Sequence, residues 1–193
     1  IMLGILPLAT AAAGFVFSRE RPSVGFWAMA LLGSALVVMF SLLKGGGSLH
    51  LADLALLAAV ASASIGYAVG ARLTRSLGGL QVISWALIIS APFLIVPAIL
   101  YAPNTVHLPL SAWLGFVYVS LVSQFLGFLP WYRGLALGGI ARVGQTQLLQ
   151  PFFTIAAASL LLSEAVDEVT MAFAIVVFAV VAIGRRLNIA HKS

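Results

Sequence analysis

Seven long apolar stretches fill the chain, at 1–18, 24–43, 51–71, 80–101, 110–132, 143–163 and 168–184, and the polar residues gather in the short gaps between them. About 20 apolar residues suffice for a helix to cross roughly 30 Å of hydrocarbon, so each stretch predicts a transmembrane helix. The gaps are as brief as RERPS at 19–23 and KGGGSLH at 44–50, and the glycines at 45–47 are the one low-complexity punctuation. No gap is long enough for a soluble domain or polar linker. The pattern therefore predicts an all-α, polytopic helical membrane bundle.

Composition agrees and narrows the reading. Of 193 residues, 62% are hydrophobic and 8% charged, and the mean hydropathy is +1.14. Fifteen formal charges cannot cover a soluble core of this size, so apolar side chains must face lipid and each other. The net charge of +5 sits between apolar runs, with no basic stripe interleaved with aromatics, which argues against a nucleic-acid partner. With no cysteine there is no disulfide framework or thiol nucleophile. The first 17 residues lack a positive leader and a small-residue cleavage pattern, so they do not read as a signal peptide.

The basic residues fall in alternate connections. Arg19, Arg21, Arg72, Arg75, Arg133, Arg142, Arg185, Arg186 and Lys192 are predicted to share one side, while Lys44, the uncharged loop 102–109 and the acidic corner of Glu164, Asp167 and Glu168 lie opposite. The positive-inside rule then places the C-terminus in the cytoplasm of a multi-pass inner (plasma) membrane protein, with Ile1 outside.

A shift of 144 residues lays Pro7 on Pro151, Thr10 on Thr154, Ala12 and Ala13 on Ala156 and Ala157, and Glu20 on Glu164. The helices 24–43 and 168–184 align under the same shift without a gap. Five helices separate equivalent positions, and an odd number inverts the second copy across the membrane. Inverted repeats are a signature of secondary transporters, with the substrate between the halves. Residues 1–49 then read as the last two helices of a truncated first repeat, 50–187 as a complete second repeat of five, and 188–193 as a cytoplasmic tail. The first copy is expected to continue through three further helices, roughly 95 residues, upstream of Ile1; the other reading is a complete seven-helix protein starting at Met2.

Polar groups at membrane depth are costly and call for a partner or a purpose. Ser120, Gln124, Gly127 and Trp131 follow i, i+4, i+7, i+11 and predict one helix face. Gln147, Gln150 and Thr154 predict a second stripe, in which Pro151 leaves the Gln147 carbonyl without its helical donor. These amides and hydroxyls suit either a polar solute or hydrogen bonding between helices. Trp85 and Tyr67 are candidates to stack on a ligand. Ser62, Gly66 and Gly70 predict close helix packing. Arg133 and Arg142 read as topology markers in contact with headgroups, and Glu20 and Glu164 as solvated helix ends. No H-E-x-x-H, carboxylate pair within a span or Ser-His-Asp set exists at membrane depth, and His50, His107 and His191 lie at ends or in loops, so no enzyme, metal or cofactor is expected.

The run WYRGLALGGIARVGQTQLLQP at 131–151, continued by FFTIAAASLLLSE, resembles the EamA-like family of the drug/metabolite transporter superfamily. So do ILPLATAAAGFVFSRERPS at 5–23 and the segment 52–90. The resemblance implies ten helices in two inverted five-helix repeats, cytoplasmic termini, and cavity-lining roles for the fifth and sixth spans seen here. It also implies movement of small metabolites, often outward. The expected function is alternating-access export of a small amphipathic metabolite such as an amino acid, amine or carboxylate. Multidrug efflux and a truncated, non-transporting fragment or scaffold are the alternatives. Helices upstream, or a second copy, would complete the cavity. No acid lies inside a span, past its first residue, except Asp53, near the outer end, so coupling residues lie in the upstream helices or transport is facilitated exchange.

Overall fold

The computed structural model describes residues 2–18, 20–44, 52–101, 108–162, 166–187 and 189–191. Among the described residues, seven helical rods coincide with the seven apolar stretches. The first two are α1 (Met2–Ser18) and α2 (Val24–Leu43), the latter capped by Ser23, whose hydroxyl accepts from the Phe26 N–H at 3.3 Å. Helix α3 (Ala52–Leu77) runs past the apolar stretch that ends at 71, because Arg72, Thr74 and Arg75 continue the helix into the polar zone. Gly78, at φ 85°, breaks the chain in one residue before α4 (Gly79–Leu100).

The fifth rod is α5 (Leu110–Tyr118), a π-helical stretch (Val119–Leu126) and α6 (Phe128–Gly138). The Gly127 N–H reaches the Val122 carbonyl at 2.7 Å, an i→i+5 bond. Pro130 falls in the first turn of α6, where its missing N–H would lack an intrahelical partner in any case. Gly139, at φ 88°, then opens the sixth rod: α7 (Ile140–Gly144), a 3-10 stretch (Gln145–Leu149) and α8 (Gln150–Leu162). The last rod is α9 (Glu168–Arg186). Val24–Leu43, Leu54–Leu77, Gly79–Leu100, Leu110–Gly138 and Glu168–Arg186 are long and apolar enough to cross a membrane, and Gly4–Ser18 is a shorter apolar helix. The chain is a multi-pass helical membrane protein.

Two short strands modify the all-α expectation. β1 (Glu20–Pro22) pairs antiparallel with β2 (Ile189–His191), Arg21 opposite Ala190, so the tail is tied to the first connection. Proline is tolerated in a two-stranded pair because every strand there is an edge.

The chain packs as two compact units, Ile1–Val69 with Gly138–Ser193, and Gly70–Leu137. In the first, α2 and α9 lie side by side. The strands before α2 and after α9 are paired at one end, and at the other Lys44, after α2, meets Asp167, before α9, at 2.6 Å. The two helices equivalent under the 144-residue shift therefore run antiparallel. Their neighbourhood is close-packed: a Cβ on Gly33 of α2 would stand 2.6 Å from the Leu148 side chain, and Phe40 packs between Phe152 and Phe173 at 5.3 and 5.4 Å. The equivalent threonines share local geometry. Thr10 Oγ1 donates to the Leu6 carbonyl at 2.8 Å and Thr154 Oγ1 to the Gln150 carbonyl at 3.0 Å, each to the residue just before the repeat proline. Glu164, the third anchor of the repeat, lies outside the described residues, as do His50, His107 and the side chain of Asp53.

In the second unit, the Tyr132 ring lies against Gly70, where a Cβ would approach within 2.3 Å, and Phe128 stacks beside it at 5.5 Å. Gly66, by contrast, has open space around it, so the predicted close-packing ladder is realised at Gly70 and not at Gly66. The surface of α4 is apolar nearly all round, with Ile88, Phe93 and Ile99 exposed, as expected of a helix bathed in hydrocarbon.

Candidate functional site

The polar interior of the first unit is built on the 3-10 stretch of the sixth rod, which contacts α1, α2 and α9. Gln145 is fully buried, with its amide oxygen next to Gly184 of α9, and neither amide atom has a hydrogen-bond partner among the described residues. Gln147 is buried with an unpartnered amide oxygen, and so is the Ser34 hydroxyl of α2. Thr10 sits against Gly144, where a Cβ would come within 2.8 Å of its methyl. An unmade hydrogen bond at a buried amide costs about 1–3 kcal/mol, so these groups form a costly unsatisfied polar region among the described residues of this unit.

This geometry corrects the predicted stripe. Gln147, Gln150 and Thr154 do not share an environment: Gln147 is buried while Gln150 and Thr154 are exposed. The α-helical period assumed for i, i+3, i+7 fails because residues 145–149 wind with three residues per turn. The same tightening supplies the carbonyl expected to be free, since the Gln150 N–H bonds to the Gln147 carbonyl in place of the donor that Pro151 lacks. Gln145, absent from the predicted candidates, becomes the most buried amide of the rod. Its signal was the Q-T-Q spacing, which an α-helix would split to opposite faces.

The second stripe is also altered. Ser120 and Gln124 lie in the π-helical stretch, whose i→i+5 bonding unwinds the face drawn through Ser120, Gln124, Gly127 and Trp131. Gln124 is exposed, Ser120 and Trp131 half-buried, and Trp85 59% exposed. The eight predicted contact residues divide by unit: Tyr67, Gln147, Gln150 and Thr154 in the first, Trp85, Ser120, Gln124 and Trp131 in the second.

Glu20 also departs from expectation. It is fully buried, and its carboxylate accepts from the Ile140 N–H at 2.6 Å and the Ala141 N–H at 2.8 Å. Gly139 brings no side chain to cap α7, so a carboxylate 120 residues away does it and meets the positive end of the helix. Arg142 reaches the Leu187 carbonyl at 3.4 Å at the same end. Arg21, Arg142, Arg185 and Arg186 thus share the end of the first unit that carries the strand pair, with Lys44 and Asp167 at the other. There the Lys44 ammonium, followed by the Thr170 hydroxyl, holds the Asp167 carboxyl below its ordinary value.

Antiparallel apolar helices, irregular backbone in two rods and amides buried in the interior of the first unit define a polytopic helical membrane protein. The chain belongs to the EamA-like transporter family, which matches residues 50–184. The family is one of transporters and not of enzymes. It is similar to the uncharacterized transporter YdeK of Bacillus subtilis (strain 168), 46% identical over 187 residues. The match covers 96% of this chain and 65% of that relative's length. No solved structure matches the chain.

Proposed function

We propose that the protein moves a small amphipathic metabolite, such as an amino acid or a related amine or carboxylate, outward across the inner membrane by alternating access. The observation that carries this reading is the antiparallel packing of α2 and α9, the arrangement an inverted repeat requires. The buried amides of Gln145 and Gln147 supply donors and acceptors of the kind a zwitterionic or amine solute uses, and Gln124, Gln150, Thr154, Ser120, Trp131, Trp85 and Tyr67 are the further contact candidates. The cavity is completed by helices upstream of this chain or by a second copy, with the C-terminus cytoplasmic. Bulky drugs are the competing substrate class, and a non-transporting fragment or scaffold is the competing role for the isolated chain.

The test is a screen of metabolites and dyes for compounds whose toxicity is relieved by expressing the full-length protein. Relief by amino acids or amines, lowered about tenfold by Gln147→Ala with protein recovery unchanged, supports the reading, since one lost hydrogen bond in the bound state costs about 1–2 kcal/mol. Relief by dyes alone reverses the substrate class. Reduced membrane recovery of the Gln147→Ala protein with transport per molecule intact assigns the amide to helix packing instead.

A further inference from the structure

The second unit carries an uncompensated positive charge. Residues 70–137 contain Arg72, Arg75 and Arg133 and not one Asp or Glu. Two of these arginines line a single cavity of about 510 Å³ at the α3–α4 turn, together with Thr74, Gly79, Leu80 and Leu129. Arg75 is held in place by its Nε, which donates to the Ala136 carbonyl at 3.0 Å, and its other guanidinium donors have no partner among the described residues. Arg133 has neither an ion pair nor a hydrogen bond among them. Thr74 also lines the cavity, with its hydroxyl buried and unpartnered among the described residues. The 22-residue helix α4 begins in this wall at Gly79, with no side chain capping its first N–H groups. Guanidinium forks and the positive end of a helix are the donors that an oxyanion takes up. The leucines beside them are suited to an apolar chain and not to a hydrated ion.

We infer that this cavity binds an anionic phospholipid, its phosphate oxyanion held between Arg75 and Arg133 and its acyl chain lying along Leu80 and Leu129. A basic pocket at the membrane-facing end of a helix bundle is placed where headgroup phosphates are most concentrated. Without an internal acid, the unit obtains its counter-charge from the bilayer, and the lipid ties the α3–α4 turn to α6.

Native mass spectrometry of the purified chain in detergent, with dioleoylphosphatidylglycerol and dioleoylphosphatidylcholine offered in equal amounts, tests it. Phosphatidylglycerol is expected to be retained preferentially. Arg75→Gln and Arg133→Gln should each weaken that retention roughly fivefold, while Arg186→Gln, which removes the same charge from α9, should leave it unchanged. Leu80→Trp keeps every charge but fills the cavity, and should lower retention even where an arginine variant folds poorly. Equal retention of the two lipids, equal loss in all three arginine variants, or full retention by Leu80→Trp would overturn the proposal. Displacement of the lipid by millimolar inorganic phosphate would also overturn it, because the site would then hold the free oxyanion.

Discussion

At the scale of single residues, two glycines four apart on α3 make opposite demands. Gly70 faces the Tyr132 ring with no room for a methyl, whereas Gly66 faces open space. Gly70→Ala should therefore cost about 1–3 kcal/mol by overpacking. Gly66→Ala should be neutral or stabilise by up to about 1 kcal/mol through helix propensity. Thermal melting of the two proteins in the same detergent checks both, and equal melting temperatures would show that Tyr132 yields freely. Glu20 is the other residue whose role is local and steep. Glu20→Ala strips two N–H groups of their acceptor in a buried site and should cost about 3 kcal/mol, while Glu20→Gln, which retains one acceptor oxygen, should cost about half of that. Protease sensitivity of the 138–145 segment is the readout. A Glu20→Ala protein as resistant as the parent would mean that α7 needs no cap.

At the scale of elements, α2 and α9 are joined at one end by a strand pair and at the other by an ion pair exposed on both sides, at 42% and 48%. An exposed pair is screened by solvent and contributes little at rest, but it titrates. The Asp167 carboxyl is held below its unfolded value by Lys44 and Thr170, so the contribution is fully present above the unfolded pKa of about 3.9 and is lost as pH falls through the folded value. Asp167→Asn should lower the melting temperature slightly at neutral pH, where the pair contributes, and flatten the acid limb below about pH 4 by the same small amount, so that the two profiles converge in acid. High salt should do the same to the parent protein. An unchanged acid limb in the variant would assign acid sensitivity to other carboxylates. The irregular stretches belong to this scale too. Both fall where the predicted polar stripes lay, in the two rods the family resemblance assigns to the cavity.

At the scale of the whole molecule, the arginines gathered at one end of each unit predict that the residues following Arg75, Ala141 and Ser193 face the same compartment. Fusions to reporters active only in cytoplasm or only in periplasm, placed after each of the three, should all report cytoplasm. A periplasmic signal at Ser193 alone would reverse the last helix and with it the inverted repeat.

Much of this architecture was legible in the chain because lipid imposes a simple rule: a crossing segment must be apolar and must satisfy its own backbone, so length and hydropathy mark each rod. The seven rods, the shared end of Arg21, Arg142, Arg185 and Arg186 in the first unit and the P-x2-T correspondence between 7–10 and 151–154 follow from local chemistry repeated along the sequence. What only the tertiary structure decided is which way the polar residues turn. The 3-10 winding at 145–149 and the π winding at 119–126 each change the angle per residue, so faces drawn with a uniform 3.6 period drifted, and Gln145 emerged buried while Gln150 and Thr154 did not. Glu20, expected to be solvated, is buried for a related reason. Its partners, the N–H groups of Ile140 and Ala141, are distant in sequence and exposed only because Gly139 breaks the helix there, and no local pattern records that a carboxylate and a helix start will meet.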